Sequence, residues 1–156
     1  MFRWPQVAVA GSKRMLDPAK PVSEASIRVR FAETDAMGIV HHASYLVYFE
    51  VGRVELARKT GTSYAALEAS GYSLAVSEIG IKYLAPARFD QQLIVRTQAE
   101  DIGSRGVTFV YEIVDIATNR LLVSGTTRHI CVDRNGAVKH IPVFWAEAIR
   151  RFAPPG

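Results

Sequence analysis

Between Ser44 and Thr60 the chain places Leu46, Val47, Tyr48, Phe49, Val51 and Val54 around most of a helical circumference, with Ala43 just ahead of them. A helix that is apolar on several sides has no stable place on a surface, and other elements must enclose it. Gly61 supplies a C-terminal stop, and Arg58 and Lys59 in the last turn suit the negative end of the helix dipole. Gly52, in the middle, costs about 1 kcal/mol against alanine, which predicts close packing of another element at that point.

The flanking patterns indicate what does the enclosing. "SIRVRFA", from Ser26, alternates Ile27, Val29 and Phe31 with polar side chains and reads as a strand with one wet face. A short helix, "SYAALEAS", ends at Gly71, and strand signals follow: "SLAVSEIGIKYLA", "QLIVRTQAEDI", "GVTFVYEIVDI" and "LLVSGTTRHICV". They are joined by "PARFDQ", "GSRG" and "ATNR" and closed by "DRNG". Strand, long buried helix and antiparallel meander make an α+β fold, whose sheet wraps the helix on one face and leaves the other for solvent or a subunit. Residues 24–156 form one such domain. Residues 1–23, with Pro5, Gly11, Pro18 and Pro21 and no sustained period, read as an irregular arm whose removal leaves activity and assembly nearly intact.

The net charge of +4 resides in the first thirty residues, where Arg3, Lys13, Arg14, Lys20, Arg28 and Arg30 face only Asp17 and Glu24. The rest of the chain is balanced, so its body carries no compositional sign of a nucleic-acid-binding face. A single cysteine, Cys131, excludes an internal disulfide framework and fits the reducing cytoplasm. No apolar run approaches the ~20 residues that span a bilayer.

Chemistry-bearing residues gather where the buried helix begins, in "ETDAMGIVHHASYLVYFE". Asp35 has the position of a turn or capping aspartate, but the apolar "AMGIV" between it and His42 is unlike a solvent loop, and a carboxylate held there suits general-base or nucleophilic work. His41 and His42 are adjacent, so their side chains should point different ways, and no third ligand follows at zinc spacing; no metal is expected. The more useful group is the backbone N–H of His42, which at a helix start can stabilise an anion. Glu50, in an otherwise apolar stretch, needs a partner such as Arg53 or Arg30 and is either a structural ion pair or a second site carboxylate. His129 and Cys131 share one side of a strand, as core residues more readily than as a catalytic dyad. "GSRG", Gly103 to Gly106, reads as a hairpin turn with Arg105 at its tip, placed to meet a phosphate.

The segment "RFAETDAMGIVHHASYLVYFEVGR", with "KYLAPARFDQQLIV" after it, resembles the 4-hydroxybenzoyl-CoA thioesterase family of hotdog-fold proteins. Within that family it is most similar to the acyl-CoA thioesterases associated with the bacterial Tol-Pal envelope system. The resemblance runs from about Ile27 to Ile141 and rests on D-x-x-G-x-V-x-[HY]-x-x-Y and on Y-x-x-P-A-x-x-D. It implies a hotdog fold, an antiparallel sheet around a long central helix. It places the catalytic aspartate at Asp35, the amide that polarises the thioester carbonyl at His42, and the family's helix acid at Glu50. It places CoA phosphate contacts at Ser104, Arg105 and Gly106, and Gly38, His41 and Tyr45 at the substrate pocket. His41 stands where relatives tend to have Tyr or Trp, at the pocket border. The resemblance further implies an acyl-CoA substrate without a separate cofactor, a homodimer or homotetramer that shares its active sites, and acyl carrier protein as a further partner. A non-catalytic acyl-CoA or acyl-carrier-protein binding module on the same fold is the alternative, because fold alone does not fix function.

Overall fold

The long helix forms where its pattern places it, as α1, Ser44–Lys59. A computed structural model of the chain describes residues 2–5 and 14–152. The first strand, β1 (Ser23–Arg28), leads through a 3-10 turn at Phe31–Glu33 into α1, followed by the short helix α2 (Tyr64–Ala69). Four strands follow: β2 (Tyr72–Tyr83), β3 (Gln92–Glu100), β4 (Gly106–Asp115) and β5 (Leu121–Asp133). They form one antiparallel sheet in the order β1-β3-β4-β5-β2.

Alternation along the strands sends Phe109, Tyr111 and Ile113 of β4 and Val123, Thr127, His129 and Cys131 of β5 to the buried helix-side face. Phe49 of α1 stacks on Tyr111, with centroids 4.2 Å apart and planes within 10°. Glycine at position 125 makes room for that stack, because a Cβ there would come 2.8 Å from the Phe49 ring. Gly52 makes room in the same way, three residues further along the helix: a Cβ would meet Val95 Cγ1 at 2.7 Å and Thr97 Oγ1 closer still. The expected close packing at Gly52 is therefore present.

The enclosure of the helix is less complete than its sequence implies. Val47 and Val51 are 52% and 40% exposed, and the Glu50 side chain between them is 62% exposed. The sheet lies along one side of α1, so the opposite apolar stripe faces outward in the single chain. A second departure is a third helix, α3 (Val143–Arg150), absent from the expected run of strands. Its residues "VFWAEAIR" are too short and too aromatic to show a helical period, yet Trp145, Ala146 and Ile149 at i, i+1 and i+4 share its buried face, with the Trp145 ring edge-on to Tyr64.

Residues 14–20 contain no helix or strand, but they are tied to the outer face of the sheet. The Glu112 carboxylate, only 1% exposed in the middle of β4, accepts from the amides of Met15 (2.9 Å) and Leu16 (3.4 Å) and pairs with Arg14 at 3.8 Å. Gln98 accepts from the Asp17 amide at 2.8 Å and donates to the carbonyls of Asp17 and Lys20 at 2.7 and 3.0 Å. Polar side chains held in this way make that stretch of the irregular arm a cover for the sheet. Among the described residues no helix is long and apolar enough to cross a membrane.

The packing at Gly52 yields a test in which two effects oppose each other. Alanine gains about 1 kcal/mol of helix propensity over glycine, whereas overpacking a filled core costs about 1–3 kcal/mol. With Val95 and Thr97 both inside contact distance, overpacking should win, and Gly52→Ala should lower Tm in a thermal melt.

Candidate active site

The turn before α1 is built by Asp35 and Gly38. The Asp35 amide donates to the Ile39 carbonyl and the Gly38 amide to the Asp35 carbonyl, both at 2.9 Å, while Thr34 and Val40 bridge across the base. Gly38 closes the turn at φ +73°, a conformation that side-chain-bearing residues rarely adopt. Asp35 Oδ1 accepts from the Met37 amide at 2.8 Å, so Asp35 does serve as a turn aspartate. Its other carboxylate oxygen has no protein donor among the described residues, and the side chain lines a cavity of about 210 Å³. His42, Tyr45, Tyr83, Ile39 and Val40 line the same cavity.

The chain then enters α1 under several constraints. His41 accepts twice, at its carbonyl from Ser44 N (2.9 Å) and at its ring Nδ1 from Ala43 N (3.2 Å), and so braces the turn that leads into the helix. Tyr83 donates from its hydroxyl to the His42 carbonyl at 2.9 Å. The His42 N–H has no acceptor among the described residues. An amide left unpaired just before a helix start, on a residue that lines the same small cavity as Asp35, can donate to an anion. Burial, reinforced by neighbouring Tyr83 and Asp35, pushes the Tyr45 hydroxyl up to about 12 against a smaller opposing effect of the Ala87 backbone, so Tyr45 stays a neutral wall of the cavity.

Glu33 anchors the turn to the helix. Its carboxylate accepts from the Tyr48 hydroxyl at 2.7 Å, the Arg30 amide at 2.8 Å and the Arg30 guanidinium at 2.9 and 3.0 Å. Its carbonyl accepts from the His41 amide at 2.8 Å. Burial pushes the Glu33 carboxyl up, but hydrogen bonds from Arg30 and Tyr48 and the Arg30 charge outweigh it and hold the group below the usual carboxylate range.

Of the residues singled out in the sequence, Asp35, His42 and Tyr45 share the cavity and Gly38 shapes its turn. His41 braces the turn before the helix and is not among the residues that line the cavity. Its ring lies 4.1 Å from that of His42, tilted by 31°, and does not point away, because a turn and not an extended strand sets the two directions. Glu50 is turned outward, pairs with Arg53 at 3.7 Å and does not line the Asp35 cavity of its own chain. Arg105 and Gly106 line a separate cavity of about 390 Å³ with Thr108 and Arg128, while the Ser104 carbonyl accepts from the Ile141 amide at 2.7 Å. The chain does not bring this hairpin to the Asp35 cavity. His129 and Cys131 are core residues: burial, then the Arg53 charge, pushes the imidazole down to about 4, its Nε2 bonds Thr127 Oγ1 at 2.8 Å, and burial pushes the thiol up.

Sequence reading missed Glu33, Tyr83 and Trp4 at this site. Tyr83 opens the Y-x-x-P-A-x-x-D motif, which marked it as structurally special without revealing its target. Glu33 sits two residues before Asp35 and showed no separate signal, since its partner Tyr48 is 15 positions away.

A five-stranded antiparallel sheet laid along a long helix, with a small apolar cavity lined by Asp35 and His42 at the helix start, is the architecture of a hotdog domain. Residues 29–151 match the model of the thioesterase-like superfamily. Over 113 residues, 72% of this chain and 81% of the relative, it is 41% identical to the putative acyl-CoA thioesterase YneP of Bacillus subtilis. It is 36% identical over 107 residues to the acyl-CoA thioester hydrolase YbgC of Escherichia coli O6:H1, covering 69% of this chain and 79% of that one. A crystal structure of a hypothetical protein from Thermus thermophilus superposes with a TM-score of 0.77 at 38% identity, covering 82% of this chain and 97% of the other. The chain belongs to the thioesterase-like superfamily, the hotdog family its motifs resemble.

The anchor at Glu33 generates a pH-dependent test. A carboxylate whose folded-state pKa is depressed contributes stability that is complete near neutral pH and is lost as pH falls through that depressed value. Glu33→Gln keeps an acceptor for Tyr48 but not the charge beside Arg30. The Tm gap between parent and Glu33→Gln should therefore be largest near neutral pH and close in acid. A gap that is constant with pH would show that the charge contributes nothing.

Proposed function

We propose that this protein is an acyl-CoA thioesterase that hydrolyses short-chain or aromatic acyl-CoA to the free acid and CoA. The observation that carries the reading is that Asp35, with one carboxylate oxygen free of protein donors among the described residues, and His42, whose amide has no acceptor among them, are both lining residues of one apolar cavity of about 210 Å³. Asp35 supplies the base or the nucleophile. It either takes a proton from water, which attacks the thioester carbonyl, or attacks that carbonyl itself to give an acyl-aspartate anhydride that water then opens. In both routes the carbonyl oxygen gains negative charge, the His42 amide donates to it, and the C–S bond breaks to release CoA as its thiol. The neutral walls of Tyr45, Tyr83, Ile39 and Val40 keep the cavity dry, which strengthens the donation.

The nucleotide end of CoA is assigned to the Arg105 hairpin, whose cavity also carries Arg128, two cations suited to phosphate. Within one chain that cavity is separate from Asp35, which favours a homodimer or homotetramer whose partner completes the site. The free edge of β2, twelve residues long with Val76 and Ile79 exposed, is an unpaired template for a second copy.

Asp35→Asn isolates the carboxylate, since the amide oxygen can still accept from Met37 and keep the turn. The variant should melt close to the parent and bind acyl-CoA with little change in KM, while kcat falls by about 10²–10⁴. If Asp35 is a turn residue only, kcat holds and stability alone drops by up to about 1 kcal/mol.

A further inference from the structure

Resting on the thioesterase reading, we propose that Trp4 is a specificity-determining residue that walls the acyl cavity and limits the length of acyl chain the site accepts. The indole lines the Asp35 cavity together with Met37 and Pro86, although Trp4 lies far from both in sequence and outside the segment that carries the family motifs. It is half-buried there.

The placement has a clamp. Arg88 donates from Nη2 to the Phe2 carbonyl at 3.2 Å and from Nη1 to the Gly38 carbonyl at 3.4 Å. One guanidinium thus ties residues 2–5 to the turn that carries Asp35, and the planar fork of arginine suits two carbonyls held at a fixed spacing. Arg88 lies within the second family motif and is not among the residues that line the cavity, and both hydrogen bonds of its guanidinium among the described residues go to this tie.

Size gives the tie its consequence. At about 30 Å³ per water, the cavity of about 210 Å³ holds about seven waters, less than the roughly 300–1,000 Å³ typical of pockets for drug-sized ligands. A butyryl or benzoyl group suits such a space, and a long acyl chain does not while the indole stands in place. The other walls, Ile39, Val40, Ala85 and Tyr45, belong to the fold itself and are buried, whereas Trp4 is held by the Arg88 tie. Trp4 is therefore a wall that can be altered without rebuilding the domain, as the buried walls cannot.

The test compares kcat/KM for acetyl-, butyryl-, benzoyl-, decanoyl- and palmitoyl-CoA in the parent, Trp4→Ala, Trp4→Phe and a chain lacking residues 1–5. A single methylene in an apolar pocket changes kcat/KM by roughly 10–200-fold, so the decanoyl-to-butyryl ratio should rise at least about tenfold in Trp4→Ala and in the truncated chain, and less in Trp4→Phe. An unchanged ratio in both would overturn the proposal. As a second readout, S-butyl-CoA, a thioether that cannot be hydrolysed, should change indole emission in the parent and not in Trp4→Phe, whose only tryptophan is Trp145. Equal emission changes in the two proteins would place Trp4 away from the acyl group and also overturn it. A parent that releases no thiol from any of the acyl-CoAs would instead refute the hydrolase reading, and emission alone would then decide where Trp4 stands.

Discussion

The contact on which the structure depends is the approach of α1 to the sheet at Phe49 and Gly52. Phe49 lies flat on Tyr111, and the missing side chains of Gly125 and Gly52 let the helix come close enough for that stack to form. From that contact the remaining geometry follows along the helix. One residue before Phe49, Tyr48 reaches the Glu33 carboxylate, and four before it, Tyr45 reaches the cavity of Asp35. Lifting the helix by the width of a methyl group would loosen both. The turn that carries Asp35 is thus tied to the core through Tyr48, although most of it is a loop.

The polar groups divide by what they face. Glu33 is ionised and fully engaged, with four hydrogen bonds to its carboxylate, and serves to hold the turn. Asp35, two residues on, has one oxygen engaged by Met37 and the other open toward the cavity. A carboxylate with an uncommitted oxygen beside an uncommitted amide remains available for chemistry, whereas a saturated one does not. The same distinction separates the histidines: His41 is engaged in the turn, His129 is buried and neutral, and the His42 amide is left without an acceptor among the described residues.

Much of this was legible in the sequence because it depends on local period and local turn chemistry. The helix from Ser44, the strand alternation, the Gly52 contact and the turn "DAMG" are each written within a few residues, and the motif around Asp35 carried the family. What was not legible depends on pairs distant in the chain or on short segments. Glu112 and Gln98 in the middle of strands carry no local sign of a partner, and only the fold shows residues 14–20 bonded to them. Glu50 looked half-buried because its neighbours are apolar, yet Val47 and Val51 are exposed with it. Helix α3 is too short for its period to show, and the return of Trp4 to the Asp35 turn has no local signature at all.

The central claim is that the cavity at the start of α1 cleaves thioesters and does not merely hold them. Thiol release by the unmodified protein from acetyl-, butyryl-, benzoyl- and palmitoyl-CoA, followed beside equilibrium binding of the same compounds, tests it most directly. The expected result is catalytic, multiple-turnover release of CoA from the short-chain or the aromatic substrate, far above the rate in buffer. Saturable binding of these acyl-CoAs with no thiol released above the buffer rate would contradict the claim and make the protein an acyl-CoA binding module.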